Sequence, residues 1–360
     1  MRGLDANRLP TAEVQPARTN GTTKFRPEPD QEFRDRYRRT MHPVDATARA
    51  IEPTAKVRIG VGLGVRTWLH GPEFGEVVDA VESLAFDSLW LSERITGHAP
   101  DPIIAMSYAA GRTSRLKFGM SVLVIPGRNP VVLAKELATL AVMSGGRLLP
   151  AFGLGVADGR EHQAFGVVRT ERATWFDEAL TVMRACWSGA AFDHHGERFH
   201  YDGLVVLPAP KRLDVWLGGI APSELRRVGR LADGWLPSFV TPRDVANGRR
   251  VIETVAAEHS RQIETDHYGV LIPFVGDAQG GPIPDKLVAG LAKRRPDLDN
   301  PWELVPVGWS ALRSTITRFV DVGTTKFVIV NVNEPLTVDA WLTHLRDAAD
   351  AVLPLETEAS

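Results

Sequence analysis

A single cysteine, Cys186, stands in 360 residues, so an intrachain disulfide, a cysteine-ligated zinc site and an iron–sulfur cluster are all excluded. Charge of one sign is just as scarce. Lys and Arg number 42 against 44 Asp and Glu, which leaves no general field to draw the chain to nucleic acid or an anionic membrane, and any basic site must be local. No apolar run approaches the roughly 20 residues that span a bilayer, and the N-terminus lacks the basic start and apolar stretch of a signal peptide. These absences predict a soluble, cytoplasmic protein.

Several chemical signatures are missing too. There is no H-E-x-x-H; His194, His195 and His200 near Glu197 fall in an irregular stretch without a rigid scaffold, so no metal is expected. No G-x-S-x-G surrounds Ser121, whose run Gly119-Met120-Ser121-Val122-Leu123-Val124 reads as a buried strand, and a hydrolase therefore lacks its nucleophile. The run Ile59-Gly60-Val61-Gly62-Leu63-Gly64 places Val65 or Thr67 where G-x-G-x-x-G needs its third glycine, and it lies within a strand instead of opening a helix. Those glycines are better read as letting a flat ligand approach a strand. The same reading covers Gly153-Leu154-Gly155, followed by Val156, Ala157 and Asp158. Cys186, beside Trp187, reads as a small buried apolar residue.

What is present is an ordinary globular balance, 44% hydrophobic and 24% charged, in a chain long enough for one large barrel or two smaller domains. Residues 1–55 are rich in Pro, Arg and acidic residues without apolar period and are expected to be a mobile extension, with Phe33 and Tyr37 as an i,i+4 pair on one short helix. From Val57 onward, β-rich runs alternate with amphipathic segments. Strands are predicted at Val57–Val65, Ser88–Leu91, Leu116–Val124, Leu149–Val156, Val215–Leu217, Gly234–Leu236, Tyr268–Phe274 and Thr325–Val330. Helices are predicted at Phe74–Leu84, Pro102–Gly111, Pro130–Met143, Arg172–Trp187, Ser223–Leu231, Arg243–Glu258, Ala311–Val322 and Val338–Val352. This is the pattern of an α/β (β/α)8 TIM barrel with every strand C-terminus on one rim, where the chemistry belongs. Ser188–Pro210 and Gly276–Gly308 interrupt it as insertions after strands four and seven, either lids or plain surface loops.

Two rim segments stand out. Val215-Trp216-Leu217 runs into Gly218-Gly219-Ile220 and a helix start, which suits either a phosphate cradle or an ordinary tight turn. Glu93-Arg94 follows the second strand, where charged side chains meet a ligand or form a surface ion pair.

In order and spacing, Phe86-Asp87-Ser88-Leu89-Trp90-Leu91-Ser92-Glu93-Arg94, Gly119–Leu123, Asn129-Pro130-Val131, Ser144-Gly145-Gly146-Arg147, Gly153-Leu154-Gly155, Trp216-Leu217-Gly218-Gly219 and Gly229-Arg230-Leu231-Ala232-Asp233-Gly234-Trp235 resemble the luciferase-like flavin and F420 oxidoreductases. Within that superfamily the pattern is most similar to the F420-dependent branch. The resemblance implies a luciferase-like barrel over residues 56–355, a homodimer, and a cofactor ring at the C-terminal rim. It implies a non-prolyl cis peptide at a bulge between Ser121 and Val122, cofactor contacts from Gly155 and Asp158, and a phosphate received by Gly218, Gly219 and Ile220.

Glu93 and Arg94 occupy positions where that branch frequently has Asp and His. A guanidinium exchanges protons poorly near neutral pH, so Arg94 is expected to stabilise negative charge, Glu93 to accept from the ring edge, and His162 or the substrate to supply the proton. The implied reaction is hydride transfer between coenzyme F420 and a small organic substrate. An FMN-dependent monooxygenase using O2 and a non-catalytic flavin-binding relative are the alternatives. Because F420 carries an acidic glutamyl tail beyond its phosphate, cations are expected at the mouth, with Arg66, Arg128 and Arg160 as candidates.

Overall fold

The computed structural model describes residues 56–67, 69–276 and 285–358; the expected N-terminal extension lies outside them. Eight parallel strands form one sheet: β1 (Arg58–Leu63), β2 (Ser88–Leu91), β3 (Lys117–Val124), β4 (Leu148–Gly153), β7 (Trp216–Leu217), β8 (Gly234–Trp235), β9 (Gly269–Phe274) and β10 (Lys326–Asn331). Their order is β8-β7-β4-β3-β2-β1-β10-β9, and parallel bridges from Trp235 to Tyr268 and from Ser238 to Leu271 join the two ends. The result is a nearly closed barrel, as the alternating pattern predicts.

Helices fill the connections: α1 (Gly71–Ser83), α2 (Pro102–Arg112), α3 (Pro130–Met143), α4 (Gly159–Phe165), α5 (Arg172–Trp187), α6 (Pro222–Leu231), α7 (Pro242–Glu258), α8 (Asp285–Arg294), α9 (Trp309–Val320), α10 (Val338–Val352) and α11 (Leu355–Glu358). Their starts follow local chemistry. Proline fits the first turn, where its missing N–H has no intrahelical partner, and a preceding polar side chain caps what remains. Asp101 accepts from Ile104 N at 3.0 Å, and Asn129 accepts from Val131 N at 2.9 Å. None of the helices in the described residues is long and apolar enough to cross a membrane.

Four ordered pieces lie where no element was expected, the shortest being α11 at the C-terminal end of the described residues. The excursion before β7 contains the antiparallel hairpin β5 (Phe192–His195) and β6 (His200–Leu204). Its side chains alternate between half-buried and exposed, and Phe192 and Tyr201 meet edge to face at 6.5 Å. Helix α4 has only seven residues, too few for a helical period to show, and α8 lies in the insertion that read as irregular.

The barrel interior is closed at the end opposite the rim. Trp90, Ala151, Trp216, Leu236 and Val328 form a buried cluster in the lumen. Here the glycine reading from sequence is corrected. A Cβ on Gly60 would collide with Ser88 and the Trp90 indole, one on Gly119 would overlap the Trp90 ring, and one on Gly62 would strike Val330. The glycines of β1 make room for core side chains and not for a ligand.

Below Trp90, where β2, β3 and β10 begin, Lys326 is 4% exposed and pairs with Asp87, which also takes Lys117 at 3.0 Å. Ser88 Oγ accepts from Lys326 Nζ at 2.9 Å. Burial alone would push the Asp87 carboxyl up, but the two ammonium groups overcome it and hold it well below the usual carboxylate range.

Candidate cofactor site

At the opposite end, a cavity of about 760 Å3 opens among the residues that follow the strands. Every barrel strand except β10 contributes a residue, most of them at the C-terminal half or just beyond: Val65 after β1, Ser92 to Arg94 after β2, the end of β3, Gly153 to Ala157, Leu217 to Ala221, Leu236 with Ser238 and Phe239 after β8, and Leu271 within β9. Of the residues singled out from sequence, Glu93, Arg94, Ser121, Val122, Gly155, Gly218, Gly219 and Ile220 line it. Asp158 does not. Its carboxylate caps α4, accepting from Arg160 N at 2.9 Å and pairing with Arg160 Nη2 at 3.3 Å.

One wall is the bulge in β3. The Ser121–Val122 peptide is cis, and the pairing of β3 with β4 slips one register between Ser121 and Leu123. Both carbonyls of the bulge are held. Ser92 Oγ donates to Ser121 O at 2.8 Å, and Glu93 N–H donates to Val122 O at 3.2 Å. The Val122 side chain lies across Gly153, where a Cβ would meet it at 2.6 Å.

Glu93 then secures the next residue. Its Oε2 accepts from Val124 N–H at 2.8 Å, its other oxygen takes Arg128, and Arg128 Nε returns to Val124 O at 3.0 Å. Burial pushes the Glu93 carboxyl up, and Arg128 with the Val124 N–H only partly offsets it. With each oxygen engaged by a donor of the protein, the geometry gives Glu93 the work of fixing the bulge instead of meeting a ring edge.

The other wall is the cradle after β7. Gly219 has φ of 88°, a left-handed conformation that glycine adopts without penalty, and Trp235 Nε1 fixes its carbonyl at 2.9 Å. Among the described residues nothing accepts from the N–H groups of Gly219 and Ile220. Ala221 N–H is satisfied by Glu224, whose Oε2 lies 3.2 Å away. A Cβ on Gly219 would strike that same oxygen.

Arg172 was missed from sequence, where it reads only as the first residue of a helix. It lines the cavity at 8% exposure. Its Nη1 donates to Leu154 O, Gly155 O and Val156 O at 2.9, 3.0 and 3.2 Å, holding the chain as it leaves β4. Its Nε is buried without a hydrogen-bond partner, and no carboxylate pairs with it among the described residues. A signal did exist: cations are disfavoured in the first turn of a helix, and a broken local rule points to a functional position.

The cations expected at the mouth lie elsewhere. Arg66 donates to Val332 O and faces Glu334, Arg128 is committed to Glu93, and Arg160 pairs with Asp158; none of the three lines the cavity. Arg94, Arg172, Arg227 and Arg294 do. Arg227 pairs with Asp177 at 2.6 Å, and Arg294 sits over the Phe239 ring at 4.6 Å. His162 also reaches the cavity. Its Nε2 lies 3.0 Å from Val156 O, an atom that can only accept, so this hydrogen bond is made with a proton on Nε2.

Away from the cavity, Cys186 is buried and its thiol is pushed up to about 11, which keeps it protonated at neutral pH. His194 is held by Glu178 at 3.2 Å, while His195 and His200 pair across the hairpin.

With that geometry in place, the likeness to known proteins can be stated. Residues 56–279 match the luciferase-like monooxygenase family, and the chain belongs to it. A phthiodiolone/phenolphthiodiolone dimycocerosates ketoreductase of Mycobacterium kansasii is 28% identical over 49% of this chain and 55% of its own length. An F420-dependent glucose-6-phosphate dehydrogenase of Kineococcus radiotolerans is 28% identical over 43% and 49%. The chain thus spans about half the length of these curated relatives.

Among solved structures, an F420-dependent secondary alcohol dehydrogenase in complex with an F420-acetone adduct is 21% identical with a TM-score of 0.66, covering 82% of this chain and 99% of that one. The oxygenating constituent of 3,6-diketocamphane monooxygenase from Pseudomonas putida, in complex with FMN, is 17% identical with a TM-score of 0.67, covering 83% and 98%. At these identities the structures establish the luciferase-like barrel and nothing finer.

Proposed function

We propose that this chain is an F420-dependent oxidoreductase that transfers a hydride between the deazaflavin and a small organic substrate. The observation that carries the reading is the pairing of two features in one cavity: a bulged, pinned strand wall, and beside it a glycine cradle with unused N–H groups, with Arg172 lining the same cavity and no carboxylate pairing with it among the described residues. Unused N–H groups and an unmatched cation favour negative charge, so the arrangement fits a ligand that carries a flat body and an anionic group. The F420-dependent relative supports the deazaflavin over the flavin.

When bound, the deazaflavin supplies hydride chemistry; the residues of the chain bind, orient and handle charge. Val122 and Ser121 present the surface for one ring face, and Ser92, Glu93 and Arg128 fix that surface. Gly219 and Ile220 N–H, with Arg172, hold the phosphate. Arg94 faces the substrate side as a fixed positive charge, and His162 Nδ1 gives or takes the substrate proton.

Fluorescence titration of the full chain with F420 and FMN under identical salt tests the reading. F420 is expected to bind at micromolar levels or tighter, about -8 kcal/mol, with FMN weaker. The diketocamphane monooxygenase likeness makes an FMN-dependent, O2-using enzyme the competing reading. Preference for FMN, with oxygen consumed on reduction, would replace the F420 assignment by that one.

A further inference from the structure

The cradle contains a carboxylate that a phosphate site does not need. Glu224 stands in the first turn of α6, half-buried, with Oε2 on Ala221 N–H and directly over Gly219. It occupies one of the donors that a phosphate would otherwise use, and it places negative charge beside the two that remain.

The other charges lining the cavity are engaged. Arg227 is matched by Asp177, Glu93 by Arg128, Arg94 lies in the field of Asp158 and Glu161, and Arg294 lies over the Phe239 ring. Arg172 and Glu224 remain, one of each sign. An anion in the cradle is opposed by Glu224, and the opposition from this one residue is twice as large for a dianion as for a monoanion.

The two candidate cofactors differ in that quantity. The phosphate of FMN is a terminal monoester and carries close to two negative charges at neutral pH. The phosphate of F420 is internal, because the glutamyl tail continues beyond it, so it is a diester with one. We infer that Glu224 is a specificity-determining residue that selects a phosphodiester over a phosphomonoester at the Gly218–Gly219 cradle. The inference rests on the proposed cofactor site and deepens it.

Glu224→Gln keeps the volume and the oxygen that accepts from Ala221 N–H while removing the charge, so it isolates the electrostatic effect from capping. Riboflavin, FMN and F420 are titrated against the full-length wild-type and variant chains by fluorescence. Riboflavin shares the FMN ring and lacks the phosphate, which separates the cradle from the rest of the cavity. The expected result is that FMN tightens about tenfold in Glu224→Gln, F420 tightens less, and riboflavin is unchanged.

Equal shifts for FMN and riboflavin, or no shift in either, would overturn the role of Glu224 while leaving an F420 preference of the wild type standing. A wild type that binds neither cofactor, or favours FMN, would remove both the proposed function and this inference. Thermal denaturation of both chains without cofactor is the control, and matched midpoints tie any change in affinity to the cradle.

Discussion

The two ends of the barrel solve opposite problems with the same residue types. At the closed end, charges are buried and matched: Lys326 finds Asp87 and Ser88, and Lys117 completes the carboxylate. Glycines there are filled against, with Gly60 and Gly119 giving their space to Trp90. At the open end, Arg172 is buried without a carboxylate and two N–H groups face the cavity unused. Gly218 has nothing closer to its missing Cβ than Leu236 O at 3.3 Å. A completed constellation stabilises the fold, whereas an incomplete one stores binding energy for a ligand.

The contrast is sharpest when a matched charge is stranded. Asp87→Ala leaves the Lys326 ammonium buried without its partner, and should cost about 3–5 kcal/mol in urea denaturation. The folded Asp87 pKa lies below its unfolded value, so the contribution is present above about pH 4 and lost as pH falls through the folded value. A loss under about 1 kcal/mol would show that the closed end is not held by this pair.

The next largest effect belongs to a group that is buried by staying neutral. His344, 6% exposed, is stacked on Phe274 at 5.8 Å and lies beside Trp309 and Trp341. Burial lowers its pKa from 6.5 to about 4. The unfolded chain therefore takes up a proton that the folded chain refuses between those values. Stability is full above pH 6.5, declines as pH falls toward 4 and levels off below, by on the order of 3 kcal/mol. His344→Phe should flatten that portion of the stability–pH curve; an unchanged slope would assign it to other groups.

At the open end, Arg172→Met should weaken FMN and F420 binding roughly 10- to 100-fold, the range for a hydrogen bond to a charged group, while leaving riboflavin within a factor of two. Equal losses for all three ligands would mean that Arg172 serves only to hold Leu154 to Val156 in place.

The barrel was legible in the sequence and its two ends only in outline, since the β1 glycines read as receiving a ligand where they make room for Trp90 and Val330. Strand and helix positions follow from apolar period, and α3, α5 and α10 fall where Pro130–Met143, Arg172–Trp187 and Val338–Val352 were predicted. The rim residues Glu93, Arg94, Gly218 and Gly219 were identified because strand ends and glycine pairs are local features, and Ser121 and Val122 through the resemblance to the luciferase-like oxidoreductases. What Glu93 does was not legible, since its partners Val124 and Arg128 are 31 and 35 residues away. Arg172 and Glu224 were hidden for the same reason. A cation in the first turn of a helix marks Arg172 as unusual without saying what it faces, and the mouth cations Arg66 and Arg128 were drawn off by Glu334 and Glu93, far away in sequence, while Arg160 pairs with the nearby Asp158.

The smallest expected change in stability separates the two ends at the level of one methyl group. Gly218 does not have positive φ, so alanine suits its backbone, and its Cβ would need only a slight retreat of Leu236 O, with Val122 the next atom at 4.0 Å. Gly218→Ala should therefore stay within about 1 kcal/mol of wild type in urea denaturation, because the lost freedom of the unfolded chain offsets the tight contact. The same substitution at Gly119 would drive a methyl into the Trp90 ring and should cost at least the roughly 1–3 kcal/mol of an overpacked core. Because Gly218 lines the cavity, the added methyl narrows the approach to the cradle, and phosphate-bearing ligands should weaken several-fold more than riboflavin. If Gly218→Ala were as damaging to stability as Gly119→Ala, the cradle would be part of the packed core, and its fitness to receive a ligand would have to be given up.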